Sequence, residues 1–246
     1  MRDDYPFPKP GCETRRHFLG TVASAAASAV LIGTVQAAEQ VVLPPTGKWT
    51  WSRLIARIPR YEYITESFYE IQSEAIRSET HLGFETKIHA VDLPNLKELC
   101  KYPFCFTGDL KWRVDPQDWK NVRDYLYQGG FFYTRLCYPR LSAAERLAFA
   151  AEHLARLKRV LPGCEVVRLW SNHAIFQAPF LISDNAALRK CWDPNGSNPI
   201  YGIFDADRMV ALLDMAGLWC GQPSEVPMPP IQSRLIANIY VFAVSH

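Results

Sequence analysis

YPFCFTG (Tyr102–Gly108) and, one helix later, GGFFYTRLC (Gly129–Cys137) decide the fold of this chain. The first is a short apolar run halted by Thr-Gly, the pattern of a strand buried on both faces. Between the two, Asp115 to Asp118 opens a helix: Asp115 caps it, Pro116 fits its first turn, and Asp118 favours the positive end of its dipole. Trp119, Val122 and Leu126 carry that helix to Gly129-Gly130, a natural stop, and Phe131 to Thr134 begins the next strand. A strand, helix, strand unit of this length requires parallel strands joined by a helical crossover.

The alternation extends in both directions. Trp49 to Ile58 and Phe84 to Val91 alternate apolar and polar residues as strands do, and between them a helix capped by Thr65 carries Phe68, Tyr69, Ile71, Ala75 and Ile76. Ser142 caps a longer helix with Leu147, Ala150, Leu154, Leu157 and Val160 on one face, ended by Pro162-Gly163. Val166 to Leu169 is a further strand. Gly202 to Asp205 and Met209 to Asp214 form two more, joined by a turn at Ala206-Asp207, and Arg234 to Val244 is a closing helix. The sequence therefore predicts an α/β three-layer sandwich with a mostly parallel central sheet. Its core is expected to hold Phe104, Phe106, Phe131, Phe132, Leu154, Leu157, Val167 and Ile239.

The amino-terminal region carries an address. Thr14-Arg15-Arg16-His17-Phe18-Leu19-Gly20 precedes an uncharged Ala/Ser/Val-rich stretch and then Val35-Gln36-Ala37, small residues where a signal peptidase cuts. This resembles a twin-arginine export signal, which implies a bacterial protein carried folded to the periplasm. Residues 1–37 are read as the removed signal, residues 38–48 (with Pro44-Pro45) as a linker, and 49–246 as one α/β domain. A retained anchor is the alternative, against which the stretch is only weakly apolar. No membrane span is expected after removal of the signal.

The 246 residues carry 27 Lys and Arg against 25 Asp and Glu, a net charge of +2, which leaves no basic footprint for nucleic acid. Cys100, Cys105, Cys137, Cys164, Cys191 and Cys220 follow the signal. An oxidising compartment permits disulfides among them, and sequence cannot choose the pairing. No spacing suggests a metal or other cofactor site.

Five segments in order resemble one family: YPFCFTG, GGFFYTRLC, SNHAIFQAPF (Ser171–Phe180), GIFDADRMVALLDM (Gly202–Met215) and RLIANIYVFAVSH (Arg234–His246). The family is the bacterial domain of unknown function 4159, and the resemblance covers nearly all of residues 49–246. It implies a fold similar to class I glutamine amidotransferases and flavodoxin-like proteins, and it implies no established activity. Three departures matter. The family tends to Gly-His-Gly where this chain has Gly108-Asp109-Leu110, to Asp-Asp where it has Arg135-Leu136, and to Asp-His-Pro where it has Asn172-His173-Ala174.

In open parallel sheets, ligands bind beyond the carboxyl ends of the strands. That rule nominates Thr107, Gly108, Asp109 and Arg135 as ligand-binding residues. Cys137 after its strand, with His173 from a later loop, is the candidate catalytic pair: a thiolate beside Arg135 and a histidine base. Bulky Leu136 and Tyr138 and the proline at 139 oppose the tight turn such a nucleophile needs, and a buried or disulfide-bonded Cys137 is the other reading. Asp109 and Asp205 serve equally as turn residues. The expected function is a non-catalytic periplasmic module binding a small molecule or a partner protein. The alternative is an amidotransferase- or hydrolase-like enzyme.

Overall fold

Strands β3 (Phe104–Thr107) and β4 (Phe131–Arg135) lie side by side and parallel, with Phe104 opposite Phe131 and Thr107 opposite Thr134. All of β3 is buried, and all of β4 except Arg135, as expected for strands with a layer on each face. The computed structural model describes residues 49–54, 66–107, 116–135, 142–182, 188, 198–216 and 229–245. The signal and linker, the caps at Thr65 and Asp115 and the extension of the first strand to Ile58 lie outside them.

Around this pair, β1 (Ser52–Leu54), β2 (His89–Val91), β5 (Glu165–Arg168), β6 (Ile200–Asp205) and β7 (Arg208–Asp214) complete one seven-stranded sheet in the order β2-β1-β3-β4-β7-β6-β5. The pairs β1 with β2, β1 with β3, β3 with β4 and β4 with β7 are parallel, whereas β6 is antiparallel to both β5 and β7. Only β6 runs against the rest. Its reversal follows from the turn read at Ala206-Asp207, too short for a crossover, where Ala206 takes a left-handed φ of 51°. The sheet thus has a carboxyl edge, where six strands end and β6 begins, and an amino edge opposite.

Period-two alternation sorts the strand residues onto two faces. On one face Trp51, Phe104, Phe106, Phe131, Tyr133 and Leu212 pack with Tyr69 and Ile76 of α1 (Glu66–Thr80) and with Leu235, Ile236, Ile239 and Tyr240 of α5 (Pro230–Ser245). We call this the α1/α5 face. On the other, Cys105, Phe132, Ala211 and Leu213 meet Leu99 of α2 (Leu96–Leu99), Val122 and Leu126 of α3 (Pro116–Tyr127), and Ala150, Leu157 and Val160 of α4 (Ala143–Val160). Helices therefore cover both faces. Among the described residues, no helix is long and apolar enough to cross a membrane.

Local chemistry fixes the joints. Gly129 ends α3 by taking a left-handed φ of 89°, and Gly130 leaves room for the Tyr125 ring, which a Cβ there would meet at 2.3 Å and whose hydroxyl donates to the Tyr102 carbonyl at 2.9 Å. The Arg208 guanidinium donates to the carbonyls of Leu126 and Gly130, tying the start of β7 to the end of α3. At the head of α4, Ser142 and Glu145 form a reciprocal capping box. The Ser142 hydroxyl and backbone N–H hold the Glu145 carboxyl below its ordinary pKa.

Two core expectations need correction. Val167 is only half-buried because β5 is an edge strand with a neighbour on one side alone. On α4 the buried stripe is Ala150, His153, Leu157 and Val160, while Leu154 is half-buried and Leu147 exposed. The 150, 153, 157, 160 spacing is a proper helical seam, and a histidine occupies it.

Burial pushes the His153 pKa down from 6.5 to about 3, helped by the nearby Arg156 charge. Below pH 6.5 the unfolded chain takes a proton that the folded one refuses, so this contribution to stability is lost progressively from 6.5 toward 3. Between pH 6.5 and 5, urea denaturation of the wild type should show a loss of about 2 kcal/mol that His153→Leu does not. Equal pH dependence in the two proteins would contradict the buried neutral imidazole.

Candidate functional site at the carboxyl edge

The carboxyl edge differs in character between its two faces. On the α2–α4 side the strand ends present Thr107 and Thr134, both buried and opposite each other in register. The Thr107 hydroxyl donates to the Tyr133 carbonyl at 3.3 Å and lies 2.7 Å from Thr134 Oγ1. With one hydrogen each, Thr134 then donates to Thr107. These hydroxyls are engaged with each other and the backbone, so Thr107 serves as a joint between two strand ends.

On the α1/α5 face the same edge carries charge on an aromatic floor. Arg53 of β1 is level with Phe106 of β3 and Tyr133 of β4, and Arg135 follows Tyr133 by two residues on the same face. The Arg53 guanidinium lies 5.7 Å from the Tyr69 ring centroid, and that of Arg135 lies 5.7 Å from the Phe106 centroid. Tyr69 meets Phe106 edge-on at 5.5 Å, and Phe106 stacks on Tyr133 at 5.3 Å. One ring system thus supports both cations.

An acid completes the group. Asp214 ends β7 opposite Arg135, is fully buried, and accepts a 2.6 Å hydrogen bond from the Tyr133 hydroxyl through Oδ2. A buried carboxyl group needs hydrogen-bond partners, and a phenol donor at this distance is one. Sequence reading passed over Arg53, Tyr69, Tyr133 and Asp214. For Asp214 the available signal was a charged residue closing a run of apolar ones, VALLD, as Arg135 closes FFYTR.

Of the residues nominated from sequence, Thr107 and Arg135 come to adjacent strand ends on opposite faces. Gly108, Asp109 and Cys137 lie outside the described residues. His173 caps a 3-10 turn, Ala174–Phe176, where its Nδ1 accepts from the Ile175 N–H at 3.3 Å. Its ring lies against Phe242 at 5.4 Å and Phe204 at 6.3 Å. Phe204 pairs with Met209 and Glu165, the starts of β7 and β5, and so belongs to the amino edge. Buried Asn238 fixes the following segment, with its Oδ1 accepting from Phe180 N–H and its Nδ2 donating to the carbonyls of Ile175 and Phe180.

Two described thiols are buried and free: Cys105, pushed up to about 12 by burial, and Cys164, also raised by burial. Both are inert core groups under ordinary conditions. Among the described residues, no three His, Cys, Asp or Glu side chains gather as metal ligands.

The family model for Domain of unknown function (DUF4159) matches residues 72–224, more than half of the chain. This chain belongs to that family. The DUF4159 match starts within α1 and runs through β7, so it includes Phe106, Tyr133, Arg135 and Asp214, while Arg53 and Tyr69 precede it. No curated protein matches the chain.

Removing the Tyr133 hydroxyl leaves the buried Asp214 carboxyl group short of one hydrogen-bond partner. Tyr133→Phe should cost about 1–3 kcal/mol in urea denaturation. An unchanged midpoint and slope would mean that this bond is not made in solution.

Proposed function

We propose that this DUF4159 protein is an exported, non-catalytic α/β module that binds a small molecule or a partner protein at the carboxyl edge of its sheet. The observation that carries the reading is the half-buried pair of arginines, each set over an aromatic ring, beside the Tyr133–Asp214 bond. These are groups suited to recognition and orientation, since a guanidinium presents a planar fork of N–H donors. The site falls where α/β sheets generally bind ligands. Strand order 2-1-3-4 supports a flavodoxin-like and class I glutamine amidotransferase-like ancestry for this half of the sheet.

The position of His173 supports binding over nucleophilic catalysis. Its Nδ1 caps a turn and its ring packs on Phe204 of the amino edge, whereas Cys137 follows Arg135, the last residue of β4 at the carboxyl edge.

Two measurements test function. Full-length protein mixed with a small-molecule extract of the periplasm should gain thermal stability, because a ligand present at 100 times its Kd adds about 2.7 kcal/mol. A thiolate-selective alkylating probe at neutral pH should label Cys137 no faster than an unactivated thiol. No stabilising component, together with one fast-reacting thiol at Cys137, would replace binding by the amidotransferase- or hydrolase-like reading.

Export by the twin-arginine route to the periplasm rests on Arg15-Arg16 and the stretch up to Ala37. Replacing both arginines by lysine should leave the protein in the cytoplasmic fraction. Continued appearance in the periplasm would exclude that route.

A further inference from the structure

We propose that this chain must fold with its thiols reduced before it meets an oxidising compartment, and that the finished fold then shields Cys105 and Cys164 from oxidation. This deepens the export reading and rests on it, because a twin-arginine signal carries a protein already folded. The sheet gives the reason. Cys105 lies in β3, the third of seven strands, level with Ser52 of β1 and Phe132 of β4, and it is fully buried. It shares its core with Leu99, Val122 and Leu126. Its thiol donates to the Phe106 carbonyl at 3.9 Å, a contact that only the reduced, protonated sulfur makes. Cys164, directly before β5, is 7% exposed and packs in the same core.

These two thiols cannot pair in the folded state. The register carries Cys105 through Phe132, Ala211 and Ile203 to Val166, two residues beyond Cys164. Four strand steps span about 19 Å, whereas a disulfide needs its Cα atoms within about 7 Å of each other. A mixed disulfide on Cys105 is excluded as well, since a close-packed core has no room for a second sulfur and its substituent. The native fold therefore holds both sulfurs as thiols.

The unfolded chain has no such protection. Six of its seven cysteines follow residue 37. In an oxidising compartment one of their thiolates attacks the disulfide of an oxidant, a disulfide oxidoreductase or oxidised glutathione, and expels one of its two sulfurs. A second cysteine of the chain then attacks the mixed disulfide and expels the other. The chain gives up two thiol protons and two electrons, and the oxidant leaves as two thiols. Any such bond that takes Cys105 keeps β3 from entering the sheet between β1 and β4. Folding first closes this route, because attack needs both access and a thiolate, and burial denies access while pushing the Cys105 thiol up to about 12.

The test uses the full chain and oxidised glutathione, with every cysteine mapped by peptide mass spectrometry. In protein folded under reducing conditions and then exposed, Cys105 and Cys164 should react about a thousandfold or more slowly than in urea, because reaching them needs extensive opening of the sheet. Exposed Cys100 is the internal control for access. Protein oxidised in urea and then diluted should carry Cys105 in a disulfide, and should lack the native unfolding transition until dithiothreitol is added. Equal reactivity of either buried thiol in folded and unfolded protein overturns the proposal, as does full recovery of the native transition from oxidised protein without reductant. Neither arm involves export, so the two readings fail separately. Thiols that react in the folded protein, while replacement of Arg15 and Arg16 still blocks export, remove the shield and leave the route. Shielded thiols in a protein that reaches the periplasm without those arginines remove the route and leave the shield.

Discussion

Phe104 on Phe131 and Phe106 on Tyr133 form two aromatic rungs across β3 and β4, each at 5.3 Å, and much of the structure is referred to this ladder. Cross-strand pairs of this kind fix register, because a slip of one residue in either strand would turn its two rings to the opposite face. The ladder also joins the helical layer to the sheet. Phe104 meets Tyr240 of α5 at 5.2 Å and Trp51 at 6.4 Å, and Phe106 meets Tyr69 of α1. The upper rung doubles as the platform for Arg135, so one packing constraint sets both the core and the site.

Central elements were legible because their chemistry is local. Buried FCFT and FFYT, the Ser142–Glu145 cap, the Gly129-Gly130 stop and the Ala206-Asp207 turn each announce themselves within a few residues. The site was not legible, since it depends on register. Arg53, Phe106 and Tyr133 are 80 residues apart from first to last and become neighbours only when three strands align. Asp214 read as an ordinary strand end until β7 was set beside β4.

Two histidines show how far environment goes beyond residue type. A helix stripe was drawn from apolar residues alone, which excluded His153, though a neutral imidazole fits a buried seam if it gives up its proton. His173 drew attention as a possible base. Beside Phe204 and Phe242, and as acceptor for the Ile175 N–H, it has a structural task in starting a turn. Residue type suggested chemistry for His173 and concealed a core position at His153, and the contacts of each are set by its environment.

The reversed strand β6 has a practical corollary. Because β6 and β7 meet in a two-residue turn at the amino edge, Ala206 and Asp207 stand exposed at the end of the sheet remote from Arg135 and Asp214. Exposed tips of this sort tolerate added sequence. An epitope, a fluorophore or a new pair of chain termini placed there would report on the protein from its blind side, leaving the opposite rim as it is.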